Sequence, residues 1–301
     1  MSELARAFLT RCFADLVREE PRAREGIDPE GVHQMRVAIR RLRTTFRILS
    51  SLFPAGKVTR LRSELAWLGT ALGDVRDLDV YQCLIREQAG SLSGLDAESL
   101  QPYFDYLAKE RGRARSRLNR VLDSRRHREL KNSLERLLAD PGPGRLFADE
   151  PANEPAVEAA TRIVLRTSRR LRKLGKKIDV DASDAALHRL RIRGKRLRYV
   201  LELFVPVLGK RIDRTLRSVR KLQDCLGDHH DACVADTKLR GFANQLPMRI
   251  DNTGLLLALG ELVHVQQISQ QRQRLLFFKL WKKISKQLKP SALKQAIGGD
   301  C

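Results

Sequence analysis

Residues 32–53 read VHQMRVAIRRLRTTFRILSSLF, and residues 187–208 read LHRLRIRGKRLRYVLELFVPVL. The two stretches align at an offset of 155 positions, which places histidine over histidine and basic residues over basic residues. A helix turns by about 100° per residue, so the apolar residues of each stretch fall on one side and the basic residues on another. The pattern predicts two related amphipathic helices, each with one side in a core.

Each predicted helix carries its histidine and basic residues in a narrow row. The first row is His33, Arg36, Arg40, Arg43 and Arg47, and the second is His188, Arg191, Lys195 and Arg198. A solvated helix face normally mixes both signs, whereas Glu202 is the only acidic residue in the two stretches. Like charges one turn apart destabilise a helix by roughly 0.2–0.5 kcal/mol per pair. The rows therefore predict an anionic ligand, and two rows facing one another would hold an extended polyanion.

The composition agrees with such a ligand. The chain has 301 residues and a formal net charge of +22, and its apolar content of 42% is enough for a sizeable core. Arginine predominates in the first row, and its planar fork grips phosphate oxygens in two places. A bound phosphate chain would also raise the pKa of His33 and His188 and recruit both as donors. Aromatic residues are only 5%, which disfavours the stacking surfaces typical of single-stranded nucleic-acid binding.

The repeat divides the chain in two. LGDVRDLDV at residues 72–80 matches LGDHHDACV at residues 226–234, at an offset of 154. Residues 140–155 form a proline-rich linker between an N-terminal helical half-repeat, 1–145, and a C-terminal one, 156–301. Helical periodicity dominates throughout. We predict helices at 2–20, 30–53, 57–89 with a break at Gly73, 97–123, 125–139, 156–178, 183–208, 210–225, 228–245 and 252–288.

The acidic blocks predict support for the rows rather than catalysis. Asp74, Asp77, Asp228 and Asp231 are expected to pair with arginines of neighbouring helices. The run His229-His230-Asp231 is similar to the doublet of metal phosphohydrolases, but its counterpart in the first half is Val75-Arg76-Asp77. Phosphate loops and nucleophile motifs are also missing from the sequence. We therefore expect no catalytic residue, no metal site and no cofactor, with Mg²⁺ or Ca²⁺ only as counterions of a bound polymer.

The remaining sequence features concern location. The five cysteines are an odd number without a C-x-x-C pair, which is typical of reduced thiols in a cytoplasmic protein. We find neither a signal peptide nor an apolar run of the roughly 20 residues that span a bilayer. We predict a cytoplasmic protein without membrane insertion, and the sequence leaves its oligomeric state open.

The doubled motif H-x-x-R-x-x-x-[RK]-R-x-R resembles the CHAD family, the conserved histidine α-helical domain. The resemblance implies an all-α fold of two pseudo-two-fold-related four-helix bundles with a central basic groove or pore that binds inorganic polyphosphate. Several members associate with polyphosphate granules. Many are fused to a triphosphate-tunnel domain, whose E-x-E-x-K motif this sequence lacks, so a stand-alone module is expected.

The predicted polyphosphate contacts are the two rows, with Arg47 ranked second. Three further second-rank residues are Arg126, in a stretch similar to the family, and Arg169 and Lys173, in a basic row at 162, 166, 169, 173 and 176. Two alternatives remain open at this point. One is a double-stranded nucleic-acid-binding protein, and the other is a metal-dependent phosphohydrolase that uses His229, His230 and Asp231.

Overall fold

The protein is all-α in a computed structural model that describes residues 2–50, 53, 55–90, 97–139, 155–247 and 252–298. These residues form helices and turns and no strand, which confirms the predicted fold class. The helices are α1 (Ser2–Glu25), α2 (Pro29–Ile48), α3 (Ala55–Ala89), α4 (Gln101–Asp123), α5 (Arg125–Ala139), α6 (Ala156–Gly175), α7 (Asp184–Leu208), α8 (Asp213–Ala243), α9 (Thr253–Gln287) and α10 (Pro290–Gly298). Short 3₁₀ turns at Ala97–Leu100 and Gly209–Ile212 precede α4 and α8.

The chain divides into two compact units. Unit 1 comprises Met1–Gln82 and Asp105–Pro155, and unit 2 comprises Cys83–Phe104 and Ala156–Cys301. Residues 83–104 therefore group with unit 2, although they precede the predicted linker. Residues 140–154 of that linker lie outside the described residues, so the half-repeat boundaries and the pseudo-two-fold relation stay predictions.

Local signals explain where the two repeated helices begin and end. The Asp28 carboxylate accepts a hydrogen bond of 2.8 Å from the backbone N–H of Glu30 and caps α2, with Pro29 in the first turn. α2 starts one residue before the predicted range of 30–53, and it ends at Ile48, five residues short of that range. Ser183 precedes α7, and Gly209 ends it with a φ of 59° that favours glycine.

The predicted helix breaks are wrong. α3 continues through Gly73, and α8 continues through Gly227, where we expected two shorter helices. A glycine inside a helix costs only about 1 kcal/mol relative to alanine, and burial of the apolar side outweighs that cost. α1 likewise continues past Pro21 to Glu25, and α10 follows α9 as a separate helix that we did not predict.

The core of each unit contains a pair of packed helices, and the buried positions of the first helix in each pair match at the offset of 155 residues. In unit 1, α1 packs against α2, and in unit 2, α6 packs against α7. The buried residues Ala5, Leu9, Cys12 and Leu16 of α1 correspond to the buried Ala160, Val164, Thr167 and Leu171 of α6, 155 positions later. The repeat thus includes the first helix of each half, which the sequence comparison missed because the matching residues differ in type.

Candidate anion-binding site

The first basic row lies along α2, beside two glycines of α3. The Arg36 guanidinium is so close to Gly73 that a β-carbon there would come within 2.9 Å of its Nη1, and Arg43 Nη1 would lie 3.5 Å from a β-carbon at Gly69. Arg36 Nη1 also donates a hydrogen bond of 2.9 Å to Asp77 Oδ1. The glycines of α3 therefore give the guanidinium groups of α2 room to lie against the neighbouring helix.

His33 begins this row in a cationic environment. The side chain is half-buried, and burial together with the nearby charge of Arg76 lowers its pKa below the ordinary value. Arg40 and Arg36 act in the same direction, while Glu30 opposes them. The ordinary pKa of histidine is about 6.5, so the imidazole is mostly neutral at pH 7 in the ligand-free protein. An anion that offsets its basic neighbours would favour the protonated ring.

The second row on α7 repeats the arginine–aspartate pair of the first. Arg191 Nη2 lies 3.8 Å from Asp231 Oδ1, and these residues occupy the positions of Arg36 and Asp77 in the repeat. The expectation that these two aspartates support the rows is confirmed. Asp228 differs, because it accepts a hydrogen bond of 3.4 Å from Gln273.

His188 forms a pair with a histidine that the sequence prediction placed in a different role. The Nδ1 atoms of His188 and His230 are 3.1 Å apart, and the ring centroids are 4.4 Å apart. Burial and the charges of Arg191 and Lys195 lower the pKa of both rings, to about 4 for His230. One ring therefore donates its N–H to the bare nitrogen of the other. Arg76 lies near His33 in unit 1. At the offset of 154, His230 occupies the position of Arg76 in unit 2. The repeat could therefore have indicated that His230 lies near His188.

The end of the second row contacts the one acidic residue of its stretch. Arg198 Nε lies 3.8 Å from Glu202 Oε1, and the same oxygen accepts a hydrogen bond of 3.3 Å from Arg220 of α8. The Arg198 guanidinium also lies against the Tyr199 ring, 5.0 Å from its centroid. Glu202 thus holds two arginines in place, and its single negative charge does not neutralise them.

Comparison with known proteins identifies the family. A family model described as CHAD domain matches residues 7–240. The chain belongs to the CHAD domain family. The CHAD domain of the plant Ricinus communis has 27% sequence identity and a TM-score of 0.71 in its crystal structure, over 100% of this chain and 92% of that chain. PptA from Streptomyces chartreusis shows the same fold at 21% identity, with a TM-score of 0.74 over 93% and 98% of the two chains.

Two curated relatives are much longer than this CHAD domain. The uncharacterized proteins MT2285 and Rv2226, from two strains of Mycobacterium tuberculosis, are each 26% identical over 223 residues, which is 68% of this chain. The chain spans only 39% of the length of either relative. Among the described residues, we find no helix with the length and apolar character required to cross a lipid bilayer.

The second-rank residues of the CHAD domain have different surroundings. Arg47, Arg169 and Lys173 are exposed. Arg126 binds both oxygens of Glu64, at 2.5 and 3.2 Å, and stacks on Trp67 with its guanidinium 4.2 Å from the ring centroid. A phosphate would have to compete with Glu64 for Arg126, and the phosphate contacts of all four residues stay predictions.

The His229-His230-Asp231 run does not form a single cluster. His229 Nε2 lies 3.4 Å from Asp184, His230 contacts His188, and Asp231 contacts Arg191. Successive residues on a helix point in different directions, so adjacency in sequence did not bring these groups together. This geometry removes the arrangement on which the phosphohydrolase alternative depended.

A group of arginines in unit 2 includes Arg170 at the position where unit 1 has the carboxylate of Asp15. Burial and the charges of Arg170, Arg193 and Arg166 lower the pKa of Arg196. At the offset of 155, Arg196 corresponds to Arg41, which lies 4.0 Å from Asp15. Arg170 replaces Asp15 in the repeat, so unit 2 has more positive charge at this position.

Proposed function

We propose that this CHAD domain binds inorganic polyphosphate through the basic rows of α2 and α7, without hydrolysing it. The observation that carries the proposal is the repeated basic row, with a histidine, an arginine held by an aspartate, and further basic residues at equivalent positions. Packing of a core requires only that the apolar residues recur in the second helix. A polymer of identical phosphate groups explains why the basic residues recur as well.

The chemistry of the rows suits phosphate. Arg36 and Arg191 each lie against an aspartate that helps to orient them, so less conformational entropy is lost when a phosphate binds. Asp77 and Asp231 are 67% and 50% exposed, and water therefore screens their attraction and leaves the guanidinium groups able to bind a second anion. The family resemblance supports polyphosphate as that anion, and association with polyphosphate granules in the cytoplasm is part of the same proposal.

Replacement of both oriented arginines tests the site. We expect Arg36→Ala with Arg191→Ala to weaken polyphosphate binding at least about tenfold, since each lost charge-assisted phosphate contact contributes roughly 1.5–3 kcal/mol. The slope of log affinity against log salt should also fall by about one per lost contact. The measurement is a fluorescence or calorimetric titration with polyphosphate of defined length at several salt concentrations.

A matched double variant controls for net charge. Arg117→Ala with Arg272→Ala removes two exposed arginines from α4 and α9, outside both rows. It should change the affinity much less than the variant in the rows, while both retain the helical circular dichroism. Equal losses in the two variants would show that binding depends on overall charge and would refute the site.

A further inference from the structure

A sulfur, a nitrogen and a carboxylate oxygen converge where α7 begins against α8 in unit 2. His229 Nδ1 lies 3.8 Å from Cys233 Sγ, and His229 Nε2 lies 3.4 Å from Asp184 Oδ1. One ligand atom from each of the three residues can be chosen so that all lie within 4.8 Å of one another. His229 and Cys233 are four residues apart on α8 and share a face of that helix, whereas Asp184 is the first residue of α7.

His229 has a buried nitrogen without an aligned partner among the described residues. The residue is only 3% exposed, and its Nε2 makes no hydrogen bond to that part of the chain, because Asp184 is within reach but poorly aligned. A buried polar atom left in this way costs roughly 1–3 kcal/mol, and such atoms call for an explanation in a ligand, water or strain. A histidine ring is mostly neutral at pH 7, since its ordinary pKa is about 6.5, and it then retains a lone pair for coordination.

We propose that Asp184, His229 and Cys233 form a binding site for a divalent metal ion of the zinc type. Sulfur, imidazole and carboxylate ligands together are typical of Zn²⁺, which binds them at about 2.0–2.3 Å in a tetrahedron. Tetrahedral ligands at those bond lengths are about 3.3–3.6 Å apart. Only one nitrogen of His229 can bind the ion, and one ligand atom from each residue lies within 4.8 Å of the others, so metal binding would draw the three side chains slightly together. The carboxylate and a thiolate would balance the two positive charges, and the exposed side of Asp184 leaves the fourth position to water.

Formation of this site has a defined proton balance. A cysteine thiol is mostly protonated at neutral pH in the absence of metal, since its ordinary pKa is about 8.5. The ion would displace the thiol proton to solvent and form a sulfur–metal bond, without any change of oxidation state. Metal binding should therefore release about one proton per site at neutral pH.

Arg274 fixes the carboxylate that the site requires. Its Nη1 donates a hydrogen bond of 2.9 Å to Asp184 Oδ1, and its Nη2 donates to the backbone carbonyls of Val180 and Ala182 before α7. The same oxygen lies 3.4 Å from His229 Nε2, so the ion would share the Asp184 carboxylate with Arg274. A positive charge opposes a metal ion, but a hydrogen bond to a carboxylate ligand also fixes its orientation, as groups around metal sites commonly do.

The internal repeat does not reproduce the proposed ligands in unit 1. At the offset of 154, His229 and Cys233 correspond to Val75 and Asp79, and Asp79 instead forms an ion pair of 2.5 Å with Arg111. The proposed metal would link the start of α7 to α8 one turn away from His188 and His230. It does not rest on polyphosphate binding, and the two proposals can fail separately.

Titration with metal alone tests the site. We expect one equivalent of Zn²⁺ to bind in competition with a chromophoric chelator in phosphate-free buffer, and Co²⁺ in its place to show a thiolate-to-cobalt charge-transfer band. Cys233→Ser and Asp184→Asn should each weaken Zn²⁺ binding at least about tenfold, a loss of roughly 1.4 kcal/mol, and Cys233→Ser should abolish the band. Asp184 is largely exposed, so its variant tests the site without disturbing the core.

Cys83→Ser is the matched control, because Cys83 is an exposed free thiol outside the cluster. This variant should retain both the affinity and the cobalt band. Wild-type Zn²⁺ affinity in Cys233→Ser and Asp184→Asn, or a cobalt band that disappears only in Cys83→Ser, would overturn the proposal. Absence of stoichiometric Zn²⁺ binding by the folded wild-type chain would overturn it as well.

Discussion

The two motif histidines are neutral in the ligand-free protein because burial and basic neighbours lower their pKa. A histidine with a lowered pKa stabilises the fold above its unfolded pKa of about 6.5, and this stabilisation is lost as the pH falls through the folded value. A phosphate chain next to His33 and His188 reverses the effect, since it favours the charged rings. Acidification should therefore weaken the free protein and strengthen the complex.

We predict that polyphosphate affinity rises as the pH falls through the pKa of the histidines in the complex and levels off below their lowered pKa in the free protein. The full rise is about tenfold for each pKa unit by which binding raises a histidine. Calorimetry with long chains, in buffers of different ionisation enthalpy, should detect proton uptake on binding. His33→Gln with His188→Gln should remove most of the pH dependence. A pH-independent affinity in the wild-type chain, or an unchanged pH dependence in this variant, would contradict the assignment.

A buried carboxylate holds unit 1 together away from the rows. Burial alone would raise the pKa of Glu20, but hydrogen bonds from His127, Lys131 and Arg24 hold it well below its usual range. Glu20→Ala should reduce the free energy of unfolding by about 3 kcal/mol, because it leaves a fully buried histidine and two cations without their common partner. Urea denaturation provides the measurement.

The exposed pair of Glu129 with Arg125 is the control for that prediction. Its loss in Glu129→Ala should change the free energy of unfolding by under about 1 kcal/mol. Similar effects of Glu20→Ala and Glu129→Ala would show that the buried network contributes no more than a surface pair.

At the scale of the helices, the contact between α2 and α3 in unit 1 and the contact between α7 and α8 in unit 2 each pair a glycine with a larger side chain. The glycine lies on the second helix in unit 1 and on the first helix in unit 2. In unit 1, the side chain of Ile39 on α2 lies against Gly69 on α3, with its Cγ2 3.4 Å from where a β-carbon would be. In unit 2, the glycine is Gly194 on α7, and Gln223 on α8 fills the space and donates a hydrogen bond of 3.2 Å to the carbonyl of Arg191. The repeat aligns Ile39 with Gly194 and Gly69 with Gln223, so the large and small residues are exchanged.

This exchange predicts a measurable coupling. A β-carbon at Gly194 would lie 2.2 Å from Gln223 Nε2. Gly194→Ala should therefore destabilise the protein by about 1 kcal/mol, despite the helix propensity that alanine gains. With Gln223→Ala also present, the cost of Gly194→Ala should vanish in a double-mutant cycle of unfolding free energies.

Gly260→Ala is the matched control, because among the described residues no atom outside the adjacent helix backbone and the two chain neighbours lies within 4 Å of a β-carbon at that position. It should stabilise α9 by up to about 1 kcal/mol. Additive effects of the Gly194 and Gln223 changes would refute the packing explanation.

At the scale of the whole molecule, the sequence predicted the all-α class, the repeat, the starts of the two basic helices and the end of α7, but not the end of α2 at Ile48. It succeeded there because apolar periodicity and caps are local signals. It failed at Gly73 and Gly227, where packing outweighs helix propensity. The His188–His230 pair was also missed, because contacts between helices depend on which residues face each other. The central groove and the facing of the two rows stay predictions.

Competition between polyphosphate and other phosphate-containing molecules most directly tests the claim that the two basic rows bind polyphosphate. Purified protein is loaded with labelled polyphosphate of defined length and challenged with unlabelled polyphosphate, duplex DNA or ATP at equal phosphate concentration and moderate salt. Binding by two arginine-rich rows predicts displacement by polyphosphate and little displacement by DNA or ATP. Equal or better displacement by duplex DNA would contradict the account and favour a nucleic-acid-binding protein.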